Sequence, residues 1–295
     1  LSCIRVLFSN QFQEYAMKIQ VVTDSTNDLP QEIIEQYGIS VIPMYINIDD
    51  RGFKDGIDIT RQEFYNRLPH SDPFPTTAAP GIEQFTAVYS QLMESGADQI
   101  LSIHISSSLS AVMDVARKAA EQFSGIPVTV YDSDQLSLGT GFQVQTAAQA
   151  AENGLPLEEI LAILKDQSSR SYVFAALDTL EFLKRGGRMN SVMAGLGSLL
   201  QIKPILTMHE GKPGAERVRT KERALQRLIE MTAELGELEQ LALVHTNARE
   251  EAGALWQQAK HLAPDLVTPL SVDVTPVLGA HLGPGAVGFA CTSRN

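Results

Sequence analysis

Hydrophobic and polar positions in the first half of the chain alternate between strand-like and helix-like segments. Short runs rich in β-branched and aliphatic residues predict strands at 19–23, 41–48, 99–105 and 128–131. Segments with apolar residues at helical spacing predict helices at 31–37, 60–68, 80–95, 110–123, 139–152 and 157–168. The 60–68 helix begins with Thr60 and Glu63, spaced as in a capping box. This alternation is typical of an α/β domain with a largely parallel sheet.

The pattern in the second half is mixed rather than strictly alternating. Strands are predicted at 172–176, 205–208, 241–245, 270–274 and 287–291, and a turn between two strands at 209–214. Helices are predicted at 180–184, 191–200, 221–235 and 250–262. A chain of 295 residues suits two domains. We therefore expect an N-terminal α/β domain at 17–168 and a C-terminal mixed α/β domain at 169–295.

The start of the chain reads differently from the rest. A first strand follows Met17 directly, whereas residues 1–16 show no clear periodicity. We expect these sixteen residues to be a disordered extension or not part of the natural protein. They also lack the apolar segment and small-residue cleavage pattern of a signal peptide.

Composition excludes several classes of function. The formal net charge of −12 lacks the basic footprint that nucleic-acid binding requires. The two cysteines, Cys3 and Cys291, lie at opposite ends and the six histidines are scattered, so neither a disulfide framework nor a metal site is expected. No apolar run approaches the roughly 20 residues of a membrane helix. These features fit a protein of the reducing cytoplasm.

Polar clusters follow three of the predicted strands. They are Asp24–Thr26, Ser106–Ser110 and Asp132–Asp134. The carboxyl ends of parallel strands share one edge of a sheet, where ligands bind and helix N-termini favour anions. Serine is also a favoured helix N-cap, which accounts for one hydroxyl of Ser106–Ser110 without any ligand.

Two segments of the second half place basic side chains next to glycines. Residues 179–189 contain Arg185-Gly-Gly-Arg188 and lead into the apolar run 195–206. Cations beside an apolar wall suit an amphiphilic anion, although glycine and arginine also commonly end a helix. Residues 277–288 place His281 among glycines, which indicates close approach of the backbone to a neighbouring group.

Together with Asp24-Ser-Thr26, these segments resemble the DegV family of lipid-binding proteins, from Met17 onward. The resemblance implies a two-domain α/β fold with a lipid tunnel between the domains. It also implies that the chain binds a long-chain fatty acid and presents the carboxylate to a separate fatty acid kinase, without a cofactor or catalysis of its own.

The resemblance assigns roles to individual residues. The carboxylate would be held by Thr77, Ser110 and His281. The supporting headgroup loops would include Asp24, Ser25, Ser107, Arg188, Gly283 and Gly285. Candidates for the acyl tunnel are Phe182, Leu196, Leu199, Leu200 and Ile202. An exposed basic pair, Arg217 and Arg219, would face the protein partner. The chain departs from the family pattern at Ala78, Ala79 and Ala111, where the usual residues are Ser, Gln and Gly.

Two other functions remain open from the sequence. A hydrolase or transferase would use Ser110 or Ser25 as nucleophile with His281 as base. The G-x-S-x-G elbow is absent, as is the G-x-x-x-x-G-K-[ST] nucleotide loop of a self-contained kinase. A lipid-sensing regulatory protein would use the same residues as a carrier.

Overall fold

The computed structural model describes residues 17–189 and 203–294, which form a two-domain mixed α/β fold. The strands of the first part are β1 (Ile19–Asp24), β2 (Ser40–Ile42), β3 (Tyr45–Ile48), β4 (Arg51–Lys54), β5 (Thr76–Ala78), β6 (Gln99–His104) and β7 (Val128–Asp132). Its helices are α1 (Gln31–Gln36), α2 (Arg61–Arg67), α3 (Ile82–Glu94), α4 (Val112–Gln122), α5 (Leu138–Glu152) and α6 (Leu157–Ser169).

The second part begins with the strand that follows α6. Its strands are β8 (Ser171–Ala176), β9 (Lys203–His209), β10 (Lys212–Val218), β11 (Leu238–His245), β12 (Leu270–Asp273) and β13 (Val287–Ser293). Its described helices are α7 (Glu181–Arg185), α8 (Lys221–Glu234), α9 (Arg249–Ala259) and α10 (Pro276–Leu282). The predicted helix at 191–200 and the predicted extension at 1–16 lie outside the described residues.

The strands of the described chain assemble into three sheets. A parallel sheet has the order β2-β1-β6-β7, and a mixed sheet has the order β10-β9-β8-β13-β11-β12. A small antiparallel sheet, β4-β3-β5, lies in the first part. The predicted parallel sheet is confirmed. The polar clusters after β1, β6 and β7 meet at one rim, because Ile105 donates to Asp24 and Ser133 donates to the carbonyl of His104.

The single strand predicted at 41–48 is wrong. Ser40–Ile42 pairs with β1 in the parallel sheet, whereas Tyr45–Ile48 pairs with β4 and β5. Pro43 separates them, and proline has no N–H with which to continue a ladder. Strands β4 and β5 were not predicted, since three or four residues are too short for periodicity to show.

Two helix starts show how sequence and structure compare locally. The capping box of α2 is confirmed, since Glu63 N donates to Thr60 Oγ1 and Thr60 N donates to the Glu63 carboxylate. The start of α3 differs from the prediction at residue 80, because Gly81 is the N-cap and Pro80 precedes the helix.

The largest buried apolar cluster spans both parts of the chain. It includes Val22, Ile100 and Ile103 of the parallel sheet, and Val173 and Val244 of the mixed sheet. The two domains therefore share packed surface, and a cavity lies within it. In the described part of the chain, no helix is long and apolar enough to cross a membrane.

Candidate functional site

A cavity lies between the two domains, with about 1310 Å³ of empty space including the part open to solvent. Both domains contribute to its wall, which is predominantly aliphatic. The apolar lining includes Met44, Ile105, Leu136, Val173, Leu206, Met208, Val244, Val277 and Leu278. A wall of this kind suits a long apolar ligand.

Four polar side chains expected at a headgroup site line this cavity: Thr77, Ser110, Arg188 and His281. Thr77 lies on β5 and His281 lies on α10, yet Thr77 Oγ1 and His281 Nε2 are 2.9 Å apart and hydrogen-bonded. Neither element was predicted, although both residues were. The fold thus brings together side chains separated by 204 positions in sequence.

The side chain of Ser110 both makes a local hydrogen bond and lines the cavity. Its Oγ accepts a hydrogen bond from Val112 N at 3.3 Å, at the start of α4. That bond uses a lone pair of the hydroxyl, so the hydroxyl hydrogen is left to donate to a ligand in the cavity. Ser110 is not the N-cap of α4, which is Ala111, but its local bond to Val112 N is compatible with a role in ligand binding.

The surroundings of His281 favour the neutral form of its imidazole. Burial, followed by the positive charge of Arg188, lowers its pKa from 6.5 to about 4. Its Nδ1 is buried and has no hydrogen-bond partner among the described residues. A carboxylate placed beside this ring and Arg188 would oppose both effects, because an opposite charge favours the protonated form.

The glycine pair between the two arginines explains how His281 and Arg188 meet. Gly187 has φ +71, and the bonds Gly187 N to Lys184 O and Arg188 N to Leu183 O form a Schellman cap on α7. Gly186, in contrast, has an ordinary φ of −74. A Cβ at Gly186 would collide with Nδ1 of His281, so the ring occupies the space a side chain would need.

The two arginines of this segment have different surroundings. Arg185 donates to Glu181 at 2.7 Å and lies over the Phe74 ring, away from the cavity. Arg188 lines the cavity, and its Nη1 donates to the carbonyl of Gly186 at 2.8 Å. Gly186 was not identified as a site residue from the sequence, although its pairing with Gly187 was the available signal.

Other predicted headgroup residues do not line the cavity. Ser25 Oγ donates to Asp55 at 2.7 Å, and Ser107 is exposed with its backbone N–H bonded to Asp132. Gly283 and Gly285 have positive φ, and the space beside them is filled by the Phe182 ring and the Asp178 carboxylate. Close backbone approach was expected at these glycines, but the neighbouring groups belong to the protein itself.

The tunnel candidates are placed only in part. Phe182 packs against Phe74, with ring centroids 5.4 Å apart, and does not line the cavity. Leu196, Leu199, Leu200 and Ile202 lie outside the described residues. The basic pair Arg217 and Arg219 is exposed at the end of β10 and just beyond it.

Asp24 belongs to a buried chain of hydrogen bonds rather than to the cavity wall. Its carboxylate accepts from His104 Nδ1 at 3.0 Å, and His104 Nε2 is 2.7 Å from Ser102 Oγ. Burial alone would raise the pKa of Asp24, but His104 and Thr26 hold it below its ordinary value. The order Asp–His–Ser has the connectivity of a hydrolase triad. All three side chains are fully buried and none lines the cavity, so a substrate there cannot reach this serine.

His281 also lacks the arrangement a hydrolase base would need. Its hydrogen-bonded hydroxyl belongs to Thr77, and no described carboxylate orients its Nδ1. Among the described residues, no group of histidine, cysteine, aspartate and glutamate could hold a metal ion. Thr26, which lines the cavity, belongs to the predicted polar cluster after β1 but was given no role of its own. The cavity-lining polar residues that were not identified from the sequence are Ser137, Thr207, His245 and Thr246.

The fold and the site define a two-domain mixed α/β protein built around an apolar cavity with one polar wall. The chain belongs to the DegV family, whose model, described as "Uncharacterised protein, DegV family", matches residues 18–294. A DegV domain-containing protein of Listeria innocua is 36% identical over 279 residues, covering 92% of this chain and 97% of that protein.

Solved structures of the same family superpose closely on this chain. A DegV family protein from Thermus thermophilus, described for its fatty acid binding, is 37% identical with a TM-score of 0.84, covering 94% of this chain and all of that one. DegV from Bacillus subtilis, described as a fatty acid binding protein, is 31% identical with a TM-score of 0.85 over the same shares.

Proposed function

We propose that this protein binds one long-chain fatty acid in the cavity, with the acyl chain along the aliphatic wall and the carboxylate at Thr77, Ser110 and His281. The observation that carries this proposal is the hydrogen-bonded pair Thr77–His281 in the wall of a predominantly aliphatic cavity. The fatty-acid-binding relatives from Thermus thermophilus and Bacillus subtilis support the same ligand class.

The apolar wall supplies most of the binding free energy. Burying a chain of about sixteen carbons at ~0.8 kcal/mol per methylene contributes roughly 12 kcal/mol before the cost of association. This term depends on chain length and hardly on the headgroup. Affinity therefore resides in the tail.

The polar wall decides which end of the ligand enters and which headgroup is accepted. If the neutral His281 donates from Nε2 to Thr77 Oγ1, the Thr77 hydroxyl hydrogen is available for a carboxylate oxygen. The Ser110 hydroxyl supplies a second donor, and the Arg188 guanidinium supplies positive charge in the same wall. A carboxylate without such partners would lose its hydration uncompensated.

The protein acts in this proposal as a carrier that presents the carboxylate to a separate fatty acid kinase and then shelters the acyl phosphate from water. The exposed pair Arg217 and Arg219 offers positive charge to that partner on a chain of net charge −12. The free buried thiol of Cys291 is compatible with action in the cytoplasm.

Native mass spectrometry of the purified protein tests the proposal. We expect an added mass of one long-chain fatty acid per chain, and saturable rebinding after delipidation. Absence of saturable binding for common saturated and unsaturated fatty acids would overturn the proposal. Turnover of an acyl ester that disappears in Ser110→Ala would replace it with the hydrolase interpretation.

A further inference from the structure

The helix that carries His281 is bonded to the other domain through its N-cap residue. Thr275 immediately precedes α10, and its backbone N–H donates to Asp28 Oδ1 at 2.8 Å. The Thr275 hydroxyl donates to Asp55 Oδ2. Both carboxylates belong to the N-terminal domain, so two buried charged groups hold one residue across the domain boundary.

Each carboxylate has further partners that fix its place. Asp28 accepts from Ser137 Oγ at 2.6 Å and from Arg61 Nη2 at 3.2 Å. Asp55 accepts from Ser25 Oγ at 2.7 Å, which also accepts from Met44 N. These contacts leave the carboxylates little freedom, so Thr275 is held by a preorganised pair of acceptors.

A third contact holds the same helix from the N-terminal domain. The Tyr65 hydroxyl donates to the carbonyl of Val274 at 2.9 Å. A Cβ at Gly279, one turn into α10, would collide with that hydroxyl. The phenol therefore lies directly against the helix and limits both its position and its rotation.

Small movements at Thr275 have large effects at His281. The two residues are six apart, which is roughly 9 Å along a helix at 1.5 Å per residue. A tilt of about 10° at the first residue would displace His281 by roughly 1.6 Å. That exceeds the tolerance of the 2.9 Å Thr77–His281 hydrogen bond.

The two carboxyls are buried where the domains meet and are held by several hydrogen bonds each. Burial, opposed by Arg61 and its other donors, raises the pKa of Asp28 to about 6, and burial likewise raises the pKa of Asp55. Buried and hydrogen-bonded carboxyls of this kind can specify one arrangement of the segments that they join.

We infer that Asp28, Asp55 and Tyr65 are positioning residues that act through Thr275 and α10 to place His281 against Thr77. The inference rests on the proposed function for its consequence, which is that these residues set the geometry of the carboxylate site without touching the ligand. None of the three lines the cavity in the described structure.

Paired substitutions at Thr275 test the inference in the full chain. Thr275→Val keeps the side-chain shape but removes the hydroxyl bonded to Asp55, whereas Thr275→Ser keeps the hydroxyl. Thr292→Val is the matched control, because its buried hydroxyl donates to Gln240 at 3.0 Å in the mixed sheet and the residue lies neither on α10 nor in the cavity lining.

Two measurements report on His281 separately from overall stability. In the ligand-free protein, NMR titration should show the pKa of His281 rising from about 4 toward the ordinary 6.5 in Thr275→Val, because displacing the ring relieves its burial beside Arg188. Affinity for palmitate should fall about tenfold, and affinity for hexadecanol by less than about threefold. Thr275→Ser should restore both values, and Thr292→Val should change neither.

An unchanged His281 titration in Thr275→Val, or equal losses of palmitate and hexadecanol affinity, would overturn the inference. If Thr275→Val does not fold, Tyr65→Phe replaces it, because this substitution removes the hydroxyl bonded to the carbonyl of Val274. The same two measurements are made on Tyr65→Phe, and the same outcomes support or overturn the inference. If no variant, including the natural sequence, binds palmitate, the proposed function fails. The ligand-free titration of His281 still decides whether α10 is positioned from the N-terminal domain.

Discussion

A methyl group at Gly186 should disturb the carboxylate site while sparing the rest of the fold. Gly186 has φ −74, so alanine meets no backbone strain there. Its Cβ would overlap His281 Nδ1 and lie 2.8 Å from Cε1, whereas ordinary contact begins at 3.4 Å. Cε1 alone must therefore retreat by about 0.6 Å, and Nδ1 by more.

A retreat of this size is enough to break the Thr77–His281 contact. A ring that shifts or turns by about 0.6 Å or more cannot keep the present 2.9 Å distance and angle to Thr77 Oγ1. Losing a hydrogen-bonding group that serves a charged ligand typically costs about 1.5–3 kcal/mol, or roughly ten- to a hundredfold in affinity. We expect that loss for a fatty acid in Gly186→Ala, with a much smaller loss for the alcohol of equal length.

Isothermal titration calorimetry with palmitate and hexadecanol measures both affinities directly. Gly253→Ala is the matched control, because its Cβ would meet nothing within 4 Å and it lies within helix α9. Alanine there should leave both affinities unchanged and, by helix propensity, raise stability by up to about 1 kcal/mol. Palmitate affinity in Gly186→Ala within about twofold of the natural protein would refute the steric argument.

Two further predictions concern the carboxylate wall and the buried acid Asp28. Ser110→Ala and His281→Ala should each weaken palmitate binding by roughly ten- to a hundredfold. The double variant should lose less affinity than the product of the two single losses, because both groups serve one anion. Equal losses for hexadecanol in calorimetry would show that these residues only maintain the fold. The pKa of Asp28 is raised from 3.8 to about 6 in the folded protein. Between about pH 4 and pH 6, the folded state therefore keeps a proton on Asp28 that the unfolded chain has already released. This group thus makes the free energy of unfolding fall as the pH rises from about 4 to 6. Asp28→Asn should flatten that fall, by on the order of 3 kcal/mol across the window, and urea unfolding at several pH values with and without the substitution would show no difference if the prediction were wrong.

The N-terminal sheet could be predicted from sequence because its physical signal is local. Strands Ile19–Asp24 and Gln99–His104 contain closely spaced Ile, Val and Leu residues and are buried along almost their whole length, as expected for strands covered by helices on both faces. The wrong prediction of one strand at 41–48 has a local cause that is visible in the sequence, since Pro43 interrupts the run. Strand Thr76–Ala78 had no such signal, because its pairing with Tyr45–Asn47 alone makes it a strand.

Helix α10 has helix-end signals in its sequence, but the glycines around His281 obscured them. Pro276 at its first position and Gly283 just after its end follow the common asymmetry of helix termini. The glycines around His281 instead indicated only a close approach of the backbone to a neighbouring group. The structure shows that Gly279 is a glycine so that the helix can approach Tyr65, a contact 214 positions away that no local pattern encodes.

The candidate site could not be assembled from periodicity, and family resemblance supplied what local physics could not. Thr77, Ser110, Arg188 and His281 come from four separate segments, and each has an ordinary local role as an edge-strand residue, a cap or a helix end. The resemblance also suggested Ser25 and Ser107, whose hydroxyl or backbone groups are bonded to Asp55 and Asp132 instead. Sequence motifs mark which segments meet, and side-chain geometry decides which of their residues reach the cavity.

The position of His281 links ligand recognition to the way the domains are joined. By chain order His281 belongs to the C-terminal domain, yet its hydroxyl partner Thr77 lies in the N-terminal domain. The start of its helix is likewise bonded to Asp28 and Asp55 of that domain. The polar wall therefore exists only while the domains are packed together, whereas each domain carries part of the apolar wall by itself. Because an apolar wall holds alcohols and acids alike, the proposed function predicts that selectivity for the acid depends on the contact between the domains rather than on either domain alone.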